Sequence, residues 1–469
     1  MTDCIFTDNI ANGNGGAIWW GNNNGVVNNS TFIGNIANKL GGAVYWSGTK
    51  SNMNECNFKD NHGLHGDNVY WIWTVDDFLN KYSQINDLDY VLIKNGIGTP
   101  SRTIVLNKKG ITISSQGSVT FDAKGGNVHF EVTGDNVLIE GITFRNFNFT
   151  AASGGAIRWG GNNGSLKNCN LINNTVNRAG GGAVFWYGKN GIISGCTFTN
   201  NTATVFGGGL YLHATNCIIT GCTFTGNTAD AGGGICGFDS AVNCTLSNSI
   251  FTGNNARAGG GIYWTGANSI VTNCNFTGNN AINSGGGVDW SGANGKLSSS
   301  KFTNNTANSG GGARWSGANG TINDCTFFDN YATNGGGIGW SGANGIITNS
   351  IISNNTANQL GGGVAWWAIN GTIKHSSFTG NVAKINGNAA YWDVTGSMAN
   401  CNFNNKLVDS SKICANNGLN INGGNGIVYI SINGTLSGTS IVVLNNETYY
   451  YPPNSNINLP NKTEDKKNR

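Results

Sequence analysis

Proline is nearly absent from this chain, at 4 residues in 469, and methionine numbers 3. Charge is scarce too: Asp, Glu, Lys and Arg together make up 10%. So little proline beside 74 glycines excludes collagen and proline-rich linkers, which need both in quantity. A net charge of +3 with no basic stripe gives no electrostatic footprint for nucleic acid. No stretch approaches 18 apolar residues, so no membrane span is expected. No apolar i, i+3, i+4 pattern survives through the regular part of the chain, which excludes helical repeats. No C-x-x-C or Cys/His spacing suggests zinc, and no cofactor is expected. The opening MTDCIFTDNI has no charged segment followed by an apolar run, so no signal peptide is visible. It begins inside a repeat, and the expectation is a fragment whose export signal lay upstream.

What the chain has is repetition. One copy runs from Cys274 to Gly295 as C-N-F-T-G-N-N-A-I-N-S-G-G-G-V-D-W-S-G-A-N-G. Anchored on the apolar residue of F-x-x-N, the copies fall at Phe6, Phe32 and Phe58. They resume at Leu171, Phe198, Phe224, Phe251, Phe276, Phe302, Phe327, Ile352 and Phe378, with weaker matches at Phe144 and Phe403. The steps are 25 to 27 residues, a period that signals a solenoid. Within a copy, C-x-F and V-x-W alternate with period two, as strands do. Gly-Gly-Gly and Gly-Ala-Asn-Gly separate them and supply corners with positive φ. Several short strands per copy describe one coil of a parallel β-helix, with successive coils stacked about 4.8 Å apart. Equivalent residues then form columns.

Each column has a reading. The Phe column faces inward. The Asn three residues after each anchor, from Asn9 to Asn381, is read as a buried amide ladder. Cys and Ser exchange two residues before the anchor, which suits a small buried position; free thiols are the preferred reading, and disulfides between stacked neighbours the alternative. The Trp column has two readings. Val or Ile lies two residues before most of these Trp residues and the residue between varies freely, so the preferred reading turns Trp inward. The alternative is an exposed ladder in which Trp264, Trp290, Trp315, Trp340 and Trp366 stack on sugar rings. Asn163, Asn319, Asn370 and Asn433 lie in turns within N-G-S/T and are the candidate glycosylation sites. No catalytic or metal residues are assigned. Asp289 beside Arg314, and Asp230 beside Arg257, are read as ion pairs between adjacent coils.

Along the chain, residues 1–73 hold three coils, read as the tail of a first β-helix; the alternative is one continuous solenoid with an inserted helix. Thr74-Val75-Asp76-Asp77 reads as a capping box opening a helix over about 75–86. That helix and irregular first coils fill 74–143, and would cover the open end of a solenoid. Regular coils run over 144–415. Residues 416–469 are terminal strands and a polar, disordered tail.

The pattern F-x-x-N-x-A…G-G-A/G-I/V-x-W resembles the adhesin-like surface proteins of methanogenic archaea. It shares G-G-A-I and F-x-x-N with the chlamydial polymorphic outer-membrane proteins. The resemblance covers about 1–61 and 144–403, and the stretch 119–144 looks like the opening coils of such proteins. It implies a right-handed parallel β-helix of pectin-lyase-like fold, an all-β class, exported or held at the cell surface. The expected function is a non-catalytic scaffold for attachment, with glycans or surface proteins of other cells as partners. The alternatives are a polysaccharide-active β-helix enzyme, lyase or glycoside hydrolase, and a purely structural envelope protein.

Overall fold

The computed structural model describes residues 1–48, 52–394 and 396–403, and beyond them the strands Lys412–Ala415, Leu419–Ile430, Gly434–Ser437, Ile441–Leu444, Glu447–Tyr450 and Asn456–Asn458. The chain divides into two compact units, Met1–Ala203 and Thr204–Arg469. Each is a parallel β-solenoid. Between them they hold about 15 turns of about 26 residues, as the 25-to-27-residue period requires. The expected polar tail, 461–469, lies outside the described residues.

In the second unit the stacking is regular. Strands Ile262–Trp264, Val288–Trp290, Ala313–Trp315, Ile338–Trp340, Val364–Trp366 and Ala390–Trp392 pair in parallel, each tryptophan directly on the next. The indole planes lie within 7° of parallel from Trp290 to Trp392, with centroids 4.7–5.1 Å apart. The Phe column is built the same way, with Phe251, Phe276, Phe302 and Phe327 stacked at 4.6–4.8 Å. Both columns are buried. Stacked rings replace contact with water by contact with each other, which supplies most of the driving force for adding a coil.

The polar columns work as chains of hydrogen bonds. From Asn254 to Asn381, each side chain's Nδ2 donates to the next Oδ1 at 2.9–3.0 Å, and the same Oδ1 also accepts the backbone N–H at 3.0–3.1 Å. The remaining Nδ2 proton goes to the carbonyl of an anchor residue, as from Asn305 to Phe276 O at 2.9 Å. Every polar atom of a buried corner is thereby satisfied. The Cys/Ser column explains its own exchange. Cys274 N–H donates to Ser300 Oγ at 3.1 Å, and Cys169 N–H to Cys196 Sγ at 3.5 Å. The hydroxyl or thiol then donates to the carbonyl two residues earlier, at 2.7 Å for Ser300 and 3.2 Å for Cys274. The position needs one small group that both donates and accepts, and Ser and Cys supply it.

The Gly-Ala-Asn-Gly turn is explained by the indoles. A Cβ on Gly295, Gly320, Gly345 or Gly371 would lie 2.0–2.3 Å from the indole of its own coil. Glycine is required there by close approach, while Asn294, Asn319, Asn344 and Asn370 beside it take φ of 57–58°, a conformation asparagine tolerates best.

The first unit contains a change of face. Helix α1 (Val75–Lys81) opens on the expected capping box. Thr74 Oγ1 accepts from the Asp77 N–H at 3.0 Å, and Asp77 returns a bond to the Thr74 N–H at 3.2 Å. The helix ends earlier than the sequence suggests and continues as a 3-10 turn, Tyr82–Gln84. Phe78 is buried against Trp73, Phe121 and Phe130. The tryptophan strand of the third coil, Val69–Trp73, pairs onward with Tyr90–Gly98. That strand pairs with Thr112–Asp122, then Leu138–Arg145, which carries Phe144 of the Phe column. The Trp column of the first three coils thus runs through Val91, Ile113 and Ile139 to Leu166, on the sheet whose next strand segment carries the Phe column. A new Trp face begins at Ile104–Leu106 and reaches Trp159 and Trp186 through Phe130–Val132.

Candidate functional site

The five tryptophans of the exposed-ladder reading, Trp264, Trp290, Trp315, Trp340 and Trp366, are all 0% exposed. The exposed ladder is corrected: strand alternation puts them on the same inward face as the Val, Ile or Ala two residues earlier, and no sugar reaches them. The indole N–H groups of Trp340 and Trp366 are absorbed within the turn, donating to Gly342 O and Ala368 O at 2.8 and 2.9 Å. The outward column is the variable one between each Val/Ile and Trp. In the first three coils and the next it is aromatic: Trp19, Tyr45, Tyr70 and Tyr90 stack at 6.4, 5.6 and 4.7 Å. Trp19 is 63% exposed. The other rings are stacked face to face, so they turn their edges outward and offer no open platform between them.

Further along the first unit the outward column becomes charged. Glu131 and Arg158 are register neighbours. Arg158 Nη1 donates to Glu131 Oε1 at 2.6 Å, and its guanidinium lies 4.8 Å over the Tyr187 ring. The ring rests on Gly160, where a Cβ would come within 2.3 Å of it. Tyr187 OH donates to Glu131 at 3.5 Å, and His129 Nε2 lies 3.0 Å from Glu131 Oε2. Burial holds the His129 imidazole below the usual histidine range, against the pull of Glu131. The neutral ring then donates Nε2–H to Glu131, and its buried Nδ1 has no partner. Burial pushes the Tyr187 phenol up, so it stays protonated at neutral pH. Sequence reasoning placed Arg158 in the variable column but did not join it to Glu131, and placed His129 in no column. The signal was the 27-residue step from Glu131 to Arg158.

The second unit repeats the theme. Arg314 Nη1 donates to Asp289 Oδ1 at 3.3 Å, and Ser284 Oγ to Asp289 Oδ2 at 2.5 Å. Burial raises the Asp289 carboxyl, and Arg314 works against it. Asp230 and Arg257 form a bidentate pair at 2.9 and 3.0 Å. Both ion pairs read from the sequence are present. Among the described residues no group of three or more His, Cys, Asp or Glu could hold a metal ion.

Of the glycosylation candidates, Asn163, Asn319 and Asn370 are exposed at turn corners, and Asn433 lies outside the described residues. Asn268, Asn294, Asn319, Asn344 and Asn370 form a second amide ladder on the surface, each Nδ2 donating to the preceding Oδ1 at 2.9–3.1 Å.

A groove opens where the face changes in the first unit. Asn28, Asn54, Glu55 and Cys56 line one wall, at the corner of the stacked coils. Gln84 and Asn86, after α1, line the other. Its volume is about 860 Å³.

The fold and these columns define an all-β parallel β-solenoid repeat protein. Residues 107–276 match the family described as the right handed beta helix region. Residues 3–19 match the Chlamydia polymorphic membrane protein repeat. No curated protein matches the chain. Among solved structures, a mannuronic acid specific polysaccharide family 6 lyase from human gut microbiota is 11% identical, with a TM-score of 0.44, over 72% of this chain and 87% of that one. A PL6 alginate lyase in complex with a trisaccharide is 14% identical, TM-score 0.42, over 81% and 89%. The protein sacteLam55A from Streptomyces sp. SirexAA-E is 9% identical, TM-score 0.30, over 83% and 97%.

Proposed function

We propose that this chain is a non-catalytic β-helix scaffold of the adhesin type, exported or held at the cell surface, that attaches to glycans or to surface proteins of other cells. One observation carries the reading: the charged groups of the outward column are bound to one another. Glu131 is held between His129 and Arg158, and Asp289 between Ser284 and Arg314. Beside that column the turns present a surface ladder of amides in register, from Asn268 to Asn370. Such a ladder suits a hydroxyl-rich or polar partner, and in the outward column Glu131 and Asp289 are each engaged by a neighbouring arginine. The test is retention of whole cells and of polysaccharide-coated beads by the immobilised chain. Retention by neither would refute the reading.

A second reading, a polysaccharide-active enzyme, draws on His129, Glu131, Arg158 and Tyr187. An imidazole, a guanidinium and a phenol together are groups that eliminate across an acidic sugar. In the way stands the pairing of Arg158 with Glu131. Turnover of an acidic polysaccharide that is lost in His129→Ala would establish this reading over the first.

A further inference from the structure

The indoles of the second unit form one uninterrupted stack. Trp264 lies 5.9 Å from Trp290, with 23° between the planes. From Trp290 to Trp392 each ring is within 7° of parallel with the next, at 4.7–5.1 Å. The stack is bounded at both ends: Gly237 is the register neighbour before Trp264, and Ala415 the one after Trp392. The residues that point outward from the same strands are Tyr263, Asp289, Arg314, Gly339, Ala365 and Tyr391, in that order. Tyrosine therefore stands only in the first coil of the stack and in the last. The two phenols have different partners. Tyr391 OH donates to the Asp393 carboxylate at 3.2 Å, whereas Tyr263 is hydrogen-bonded to the hydroxyl of Ser291.

We propose that this stack conducts single-electron oxidation along the core of the unit and delivers it to Tyr391. A one-electron oxidant at the surface, such as an oxygen-centred radical or an oxidised metal complex, takes an electron from an indole and leaves a radical cation. Overlapping ring faces let an electron pass from each indole to its oxidised neighbour, so the positive charge moves along the stack. Burial disfavours a cation, but inside the stack it lies between two indole faces, the best aromatic partners a cation has. The cation also cannot discharge by losing its N–H proton. The Nε1 groups of Trp264, Trp290, Trp315 and Trp392 have no partner among the described residues, and those of Trp340 and Trp366 meet only carbonyl oxygens. A base is present at Tyr391. Tyr391 gives one electron to the Trp392 cation across the peptide unit between them, its O–H bond breaks, and the proton passes to the Asp393 carboxylate. The oxidant has then gained one electron and Trp392 is restored. A neutral phenoxyl radical remains on Tyr391 and a carboxylic acid on Asp393. Tyr263 offers no such exit, because the Ser291 hydroxyl is not a base.

The experiment places the oxidant at the far end of the stack. A thiol-reactive tris(bipyridine)ruthenium label is attached at Asp239→Cys in the full chain carrying Cys4→Ser and Cys56→Ser. Asp239 is exposed and adjoins the coil of Trp264, accepting from Thr265 Oγ1 at 2.7 Å. Tyr391 lies five coil steps beyond Trp264, about 24 Å at about 4.8 Å per step. Flash oxidation is followed by transient absorption and electron paramagnetic resonance, with spin trapping and peptide mapping to place the radical. The expected result is an indole radical cation that decays as a phenoxyl radical rises on Tyr391. Trp315→Leu should cut the Tyr391 yield several-fold with an unchanged melting temperature, since the column already holds leucine at Leu212. Trp315→Phe keeps a stacked ring that is much harder to oxidise, and should cut the yield as well. Asp393→Asn should slow the phenoxyl rise and lengthen the life of the indole cation several-fold. A Tyr391 yield unchanged in both Trp315 variants would overturn the proposal. So would an indole radical that decays in place without reaching Tyr391 in the parent chain. Either result leaves the attachment reading standing.

Discussion

Replacing Asn305 with alanine tests the idea that buried amide ladders hold the coils together. Asn305 is fully buried. Its Oδ1 accepts from Asn279 N–H and from Asn279 Nδ2, both at 3.0 Å. Its Nδ2 donates to Phe276 O at 2.9 Å and to Asn330 Oδ1 at 3.0 Å. Alanine deletes all four bonds, but the damage is unequal. Asn279 Nδ2 keeps Phe251 O, and Asn330 Oδ1 keeps the backbone N–H of residue 305. The Asn279 N–H loses its acceptor in the core, at about 1–3 kcal/mol, and the other three bonds are worth about 1 kcal/mol each. The expected loss is roughly 4–6 kcal/mol. The control is Asn319→Gly in the exposed ladder, where glycine keeps φ of 57° without strain. Water replaces both lost bonds there, and the expected loss is under about 1 kcal/mol. Because solenoids unfold in segments, native-state hydrogen exchange at the amides of 276–281 and 302–306 is the assay, with urea unfolding alongside. A loss for Asn305→Ala no larger than that for Asn319→Gly would refute the reasoning.

Three further outcomes are expected. Acrylamide should quench a small part of the tryptophan fluorescence, and Trp19→Phe should remove most of that part, because the core indoles from Trp264 to Trp392 are 0% exposed; strong quenching that survives Trp19→Phe would place the Trp column outside. Asp89 is fully buried, accepting from Val69 N–H, Trp71 Nε1 and Asn86 N–H, and burial pushes its carboxyl up to about 7. A folded-state value above the unfolded one, near 3.9, means that the native chain holds the proton more tightly. Stability should therefore fall as pH rises through about 7, and Asp89→Asn should flatten that part of a urea-midpoint profile. In a native thiol titration followed by peptide mapping, Cys4 and Cys56 should react well before the nine buried thiols from Cys169 to Cys401.

The architecture was legible because a solenoid writes its geometry into its period. A 26-residue step from Phe6 to Phe32 to Phe58 predicts in-register stacking, and the phenylalanines stand on one another. The helix start was equally plain, since a capping box is local chemistry. The direction of the Trp side chains was less so. Alternation says that Val288 and Trp290 share a face, and leaves which face to the variability of the residue between them. The change of face between Val69–Trp73 and Leu138–Arg145 was not legible, because it follows from pairing across a region where the repeat is lost. The cluster around Glu131 was hidden for a related reason. Its members come from three successive coils, and His129 and Tyr187 flank the repeat positions that the pattern marks. The groove at Gln84 depends on where a non-repeating turn comes to rest against the corner of a repeating stack.

The central claim is a scaffold that attaches and does not cut. The direct measurement mixes the folded chain with a panel of insoluble and soluble polysaccharides, neutral and acidic. It follows two quantities together: protein carried down with the polymer, and new reducing ends or unsaturated sugar released into solution. The account predicts protein bound to at least one neutral polymer with no release above the blank. Release that grows with time and protein concentration, and is lost in His129→Ala, would contradict it.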